Sequence, residues 1–212
     1  MMRTFKAMAA VTVLGCLLAA SNAHAVVLAN PGFELGVDGP GATGWGGFND
    51  HFTSSDFAET GFKSLKVFGP FFHGGGAGVV QGGFAASAGQ SWTAAASIFS
   101  PTTDFVGVNN FAITKLEFLN AGNSVIGAFE STHFNQASPA NTWVPKSVTG
   151  VAPAGTASAQ IVLVHVQLDP VDGGAVFYDN ASLALIPEPT TAALGSIAAL
   201  GIALVARRRA TR

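Results

Sequence analysis

An antiparallel β-sandwich is the fold class that this chain predicts, and three features point to it. Between residues 26 and 186 the sequence breaks into short β-rich runs separated by Gly, Asn, Ser and Pro. Glycine is abundant, at 26 of 212 residues, and long amphipathic helical periodicity is hard to find. The 161 residues of that span amount to one domain, with room for eight or nine strands and no internal repeat.

Taken in order, Val26 to Glu34 reads as a short strand and a turn ending in an acid, and 36–47 as a Gly/Pro-rich loop around Trp45. Ser64 to Phe68 alternates like a half-buried strand, with Leu65 and Val67 on one face. Phe71-Phe72-His73-Gly74-Gly75-Gly76 is expected as a flexible loop displaying aromatics. Val79 to Phe84 and Trp92 to Phe99 are strands joined by a turn around Ala88-Gly89. Phe111 to Leu119 and Ser124 to Ala128 form a hairpin across Asn120-Ala121-Gly122-Asn123, because Gly and Asn accept positive φ. Thr142 to Val148, a turn at Pro153-Ala154-Gly155, Ala159 to Leu168 and Ala175 to Leu185 complete the domain.

The front end is of another kind. Arg3 and Lys6 make a basic start, Ala7 to Ala20 an apolar core, and Ala23-His24-Ala25 a small-residue cleavage site, so residues 1–25 read as a secretory signal peptide. Val26 is then the mature N-terminus. Val13-Leu14-Gly15-Cys16 resembles a lipobox, which would instead lipidate Cys16. Against that, the apolar core before Cys16 is short, and apolar residues continue after it. With ordinary cleavage the only cysteine leaves with the signal, and no disulfide can form in the oxidising compartment.

Residues 26–186 hold four lysines, no arginine and eleven acids, a net charge of −7. Nucleic acid is excluded as a partner, since neutralising phosphates takes clustered Lys and Arg. The acids suit an extracellular domain and offer oxygen ligands to calcium.

Asn30-Pro31-Gly32-Phe33-Glu34 near the start and Phe177-Tyr178-Asp179-Asn180-Ala181-Ser182-Leu183 near the end resemble the two terminal signatures of carbohydrate-binding-module-like jelly rolls. This is the galactose-binding-like superfamily, close to the family 4/9 type. Segments 61–67 and 116–127, and Thr142-Trp143 with 153–157, are similar to further parts of that fold, so the resemblance runs in order through nearly the whole domain. It implies that the sandwich is a jelly roll. It also implies a structural calcium tying the first strand to the last, with Glu34 and Asp179 at the matching positions and a carbonyl near Lys63 completing the shell. Where family members often carry a second acid after the first, this chain has Asn180.

Trp92 and Trp143 fall where the family has core aromatics. Sugar binding in such folds uses aromatic faces, and the candidates are Phe71, Phe72, His73 and Trp45, with Phe48, His51 and Phe52 as a second group. His165 and Gln167 share one face of the longest strand with Ile161 and Leu163, either lining a groove or emerging at its rim.

The last 27 residues, Ile186 to Arg212, read Ile-Pro-Glu-Pro, then 17 uncharged residues from Thr190 to Ala206, then Arg207-Arg208-Arg209. As a helix that run spans about 26 Å, at the short edge of what crosses a hydrocarbon core roughly 30 Å thick. The arginines would stay cytoplasmic, and Pro187 and Pro189 break the helix where it leaves the bilayer. Pro187-Glu188-Pro189, the short spanning helix and the terminal arginines together resemble the PEP-CTERM sorting tail of bacterial surface proteins. That resemblance implies processing by an exosortase, and an ordinary membrane anchor would orient the chain in the same way.

The domain organisation expected is therefore signal peptide 1–25, jelly-roll ectodomain 26–186 and sorting segment 187–212. The function expected is that of an exported, non-catalytic structural or adhesive module of exopolysaccharide or biofilm, anchored transiently in the inner membrane and then released to the cell surface or matrix. The alternatives are a lectin-like receptor for a defined glycan and a glycan-active hydrolase. An esterase reading would take His73-Gly74-Gly75-Gly76 as oxyanion loop and 85–89 as a nucleophile elbow around Ser87. It needs a strand-to-helix turn in a parallel sheet, and the flanking segments lack that pattern.

Overall fold

The computed structural model describes residues 24–71 and 75–186. The signal segment up to residue 23, Phe72-His73-Gly74, and the tail with Pro187, Glu188, Pro189, the expected helix 190–206, Arg207, Arg208 and Arg209 lie outside the described residues. Among those described, no helix is long and apolar enough to cross a membrane.

The described residues form twelve strands: β1 (His24–Ala25), β2 (Gly39–Pro40), β3 (Gly46–Phe48), β4 (His51–Ser54), β5 (Ser64–Phe68), β6 (Gly75–Ala85), β7 (Ser91–Phe99), β8 (Asn110–Leu119), β9 (Val125–Glu130), β10 (Val144–Val151), β11 (Ser158–Gln167) and β12 (Ala175–Ile186). One sheet has the order β10-β7-β12-β5-β4-β2, with β1 also on β12, and the other the order β3-β6-β11-β8-β9. Every ladder between these strands is antiparallel. The class expected from the sequence, an all-β antiparallel sandwich, is what forms.

The core lies between the sheets because each strand sends alternate side chains inward. Leu65 and Val67 of β5 are fully buried, and they pack in one cluster with Ile161 and Leu163 of β11, Leu116 and Phe118 of β8 and Ile98 of β7. On β12 the inward set changes phase. Val176 and Tyr178 face the core before a bulge between Asp179 and Ser182, and Leu183 faces it afterwards. The extra residue of a bulge makes that switch, and Asn180 supports it with φ of 52°, a left-handed conformation that Asn tolerates. Tyr178 also crosses the core: its hydroxyl lies 2.8 Å from the Val164 carbonyl and 3.2 Å from that of Ile113, bonding β12 to the opposite sheet.

The long strands fall where they are expected, with ends moved by at most four residues. The differences concentrate in the first third. The stretch 26–34 is irregular instead of a strand, and β1 lies just before it, ahead of the expected mature start at Val26. The 36–47 loop contains β2 and the start of β3, and β4 follows. Strands of two to four residues are too short to show a period, so the expected count of eight or nine becomes twelve. The hairpin turn at 120–123 forms, with Asn123 at φ of 60°. Ser87 sits in the turn that carries the chain from β6 of one sheet to β7 of the other, with a strand and not a helix after it, which is no nucleophile elbow.

Candidate functional site

The side chains that alternate away from the core create two outer faces. On the five-stranded sheet, Val162 and Val164 of β11 point outward, in register with Lys115 and Ile113 of β8 on one side and with Val80 and Gly78 of β6 on the other. Phe48 of β3 pairs with Gly78, and Gly46 with Val80. The glycines withhold side chains beside the valines, and a hollow of about 350 Å³ remains, lined by Phe48, Val80, Lys115, Glu117, Gln160, Val162 and Val164. Its floor is methyl groups and its wall an aromatic ring.

One edge of the hollow is polar and internally bonded. Lys115 Nζ lies 3.1 Å from Glu117 and 3.5 Å from Glu130, the residue directly across β9. The Gln160 amide donates to Glu117 Oε2 at 2.6 Å. Burial pulls the Lys115 ammonium down, but the hydrogen bond and charge of Glu117, then those of Glu130, outweigh it and hold it above the ordinary lysine value. An apolar floor with a few convergent polar groups is the usual make-up of a small-ligand site. A pyranose matches it, having C–H faces for the floor and hydroxyls for the edge.

The seven-stranded sheet carries aromatics instead. Phe99, Phe177, Lys66 and Phe52 form one register row across β7, β12, β5 and β4. Trp143, just before β10, packs tilted against Phe99 with ring centroids 5.2 Å apart. This row is closed over: Phe57 lies 4.8 Å from Phe99 and 5.0 Å from Phe177, and both of those rings are buried. It is a small secondary core under the 55–63 segment.

Among the described residues, the aromatics singled out from the sequence do not assemble into one platform; Phe72 and His73 lie outside them. Trp45, expected to face a ligand, is only 8% exposed, tilted against Phe33 at 5.2 Å, with its indole N–H donating to the Asn30 carbonyl. It closes the core, although one side also borders a polar hollow with Thr43, His51 and Thr53. Phe71 is exposed and 6.0 Å from Phe68, and its backbone N–H donates to Gln167 at 2.6 Å. Phe48 and Phe52 stand on different sheets. Trp92 is a core residue, as expected; Trp143 is half buried and packs outside the main core. His165 and Gln167 face inward with Ile161 and Leu163, so the opposite side of β11 is the one that lines the hollow. Lys115, Glu117 and Gln160 went unnoticed in the sequence. Their signal is the outward phase of two strands whose inward phase is Leu116, Phe118 and Ile161.

Glu34 and Asp179 do approach one another around Gly32, but both serve the 59–63 segment. Asp179 accepts the N–H groups of Glu59, Thr60 and Asn180, and Glu34 accepts those of Phe62 and Lys63. Burial pushes the Asp179 carboxyl up, and the N–H bonds from Thr60, Asn180 and Glu59 oppose it. Gly61 has φ of +71°, and a Cβ there would land on the Glu34 carboxylate. Calcium takes six to eight oxygens. Here the carboxylates meet N–H donors, and among the described residues no three His, Cys, Asp or Glu are placed to share a metal. The pair forms a hydrogen-bonded latch on the 59–63 segment. Asn180 in place of the second acid belongs to the latch: its amide donates to Glu59 at 2.7 Å and accepts from the Thr60 hydroxyl at 2.8 Å.

With this geometry in view, solved structures offer a comparison. The chain is similar to a Stig cyclase, Fisc, from Fischerella sp. TAU, with a TM-score of 0.57 and 18% identity over 78% of this chain and 99% of the cyclase. It is similar to a family 16 carbohydrate-binding module, with a TM-score of 0.51 and 19% identity over 74% and 99% of the two chains. It also matches the α-L-arabinofuranosidase MgGH51 at a TM-score of 0.56 and 14% identity, covering 78% of this chain but only 27% of that enzyme. The shared property is the fold, a β-sandwich of the kind found in carbohydrate-binding modules. No protein-family model matches the chain, and no curated protein matches it.

Proposed function

We propose that this domain is a non-catalytic carbohydrate-contact module that holds polysaccharide on the outer face of its five-stranded sheet. The observation that carries the reading is the hollow over Val80, Val162 and Val164, with Phe48 as wall and Gln160, Glu117 and Lys115 along one edge. The fold shared with a carbohydrate-binding module supports it. Together with the signal-like start and the Pro187-Glu188-Pro189 tail, the reading extends to an exported protein, processed by an exosortase-type enzyme and delivered to cell surface or matrix, where it serves an exopolysaccharide or biofilm. Altering Pro187-Glu188-Pro189 and fractionating cells tests that route: unchanged distribution would remove the sorting role.

The contact itself is tested by electrophoresis of the purified protein through gels containing soluble polysaccharides. Gly46→Trp is the informative variant. A Cβ at Gly46 meets Val80 at an ordinary 3.5 Å, so the strand accepts a side chain that then fills the hollow. Retardation by at least one glycan, abolished in Gly46→Trp, is expected. Equal retardation of the two proteins, or none by any glycan, sinks the reading.

A further inference from the structure

The charges at the hollow narrow the class of glycan. Its lysine is already spent: Lys115 sits between Glu117 and Glu130 at 3.1 and 3.5 Å. Glu117 is spent too, with one oxygen on Lys115 and the other on the Gln160 amide. Glu130 differs. It stands one strand beyond the lining of the hollow, in register with Lys115, and its carboxylate has no side-chain partner other than that ammonium among the described residues; the contact is the longer of the two, and the side chain is 47% exposed. Two carboxylates against one ammonium leave one negative charge uncompensated, and the carboxylate with spare capacity is the one nearest solvent. A uronate or sulfate would meet that charge and would have to displace a glutamate to reach Lys115. A protonated amine would complete the set.

We infer that the hollow selects a polysaccharide of 2-amino-2-deoxyhexose units bearing free ammonium groups, with a C–H face of the sugar on Val162 and Val164 and the ammonium on Glu130. This rests on glycan contact at the hollow, and it gives that contact a chemical preference. Neutral sugars lack the ion pair, and acidic sugars carry the wrong charge.

The test is calorimetric titration of the purified protein at pH 6 with soluble glucosamine oligomers and with their fully N-acetylated counterparts, in which a neutral acetamide replaces each ammonium. The free-amino oligomer is expected to bind about fivefold more tightly, the scale of one partly exposed ion pair. Glu130→Gln should erase that difference. Asp104→Asn removes the same charge from an exposed acid distant in sequence and should keep the difference. Equal affinity for the two oligomers overturns the amino-sugar preference while leaving glycan contact standing. An equal drop in Glu130→Gln and Asp104→Asn overturns it as well, because bulk charge then accounts for the preference. Silence toward both oligomers, with no retardation by any polysaccharide, removes the inference together with the reading beneath it.

Discussion

His165 is fully buried between the sheets, opposite Ala77 and Ala112, and neither ring nitrogen has a hydrogen-bond partner among the described residues. Thr114, its diagonal neighbour on β8, has an unpartnered hydroxyl as well. Burial pulls the His165 imidazole down to about 4. The unfolded chain takes up a proton near pH 6.5, whereas the folded chain resists until about pH 4, so stability present at neutral pH is lost as pH falls through that window. The full loss is about 3 kcal/mol. Urea midpoints at pH 7 and pH 4.5 should diverge in the natural protein and far less in His165→Leu; parallel behaviour of the two would show that this ring is not the source.

The latch carboxylates yield two more expectations at the same scale. Asp179→Ala leaves the N–H groups of Glu59 and Thr60 without their acceptor and should cost about 2 kcal/mol in urea unfolding. Calcium should leave the melting midpoint unchanged relative to chelator, since five N–H groups already occupy Glu34 and Asp179. A midpoint that rises with calcium would restore the ion to this place.

Among elements, β12 carries the greatest responsibility. It pairs with β7 along most of its length, shares its other edge between β5 and β1, and sends Tyr178 across the core. Tyr178→Phe keeps the packing but leaves two buried carbonyls, those of Val164 and Ile113, short of a donor. A loss of about 1–2 kcal/mol is expected, read as a shifted urea midpoint at unchanged slope. β12 and β11 were legible in the sequence because each runs ten residues or more of mainly apolar, β-favouring side chains. β2, β3 and β4 were not, since strands of two to four residues are selected by the edges they join. β3 matters most among them: it supplies Phe48 and leaves Gly46 bare beside the hollow.

On the scale of the whole molecule, the two sheets turn their outer faces in opposite directions, and the faces differ in kind. One keeps an open hollow with a polar edge, while the other buries most of its aromatic row beneath Phe57. Trp143→Ala should therefore leave polysaccharide retardation intact while Phe48→Ala weakens it, as measured in the same gels. The reverse ranking would move the contact to the seven-stranded sheet.

Local pattern alone determined the sandwich class, the long strands, the hairpin at 120–123 and the shared face of Leu65 and Val67. Each of these follows from a period of two or from the φ preferences of Gly and Asn. The terminal signatures also singled out Glu34 and Asp179, but only the fold showed that both accept N–H groups of the 59–63 segment. Tertiary structure likewise decided that Trp45 closes the core, that His165 is interior, and that Val162 and Val164 floor a hollow with Lys115, Glu117 and Gln160. The physical reason is that alternation assigns residues to a common face without saying what lies opposite it. What covers a face, or leaves it open, is set by strands remote in sequence, such as β3 and β8 on either side of β6 and β11.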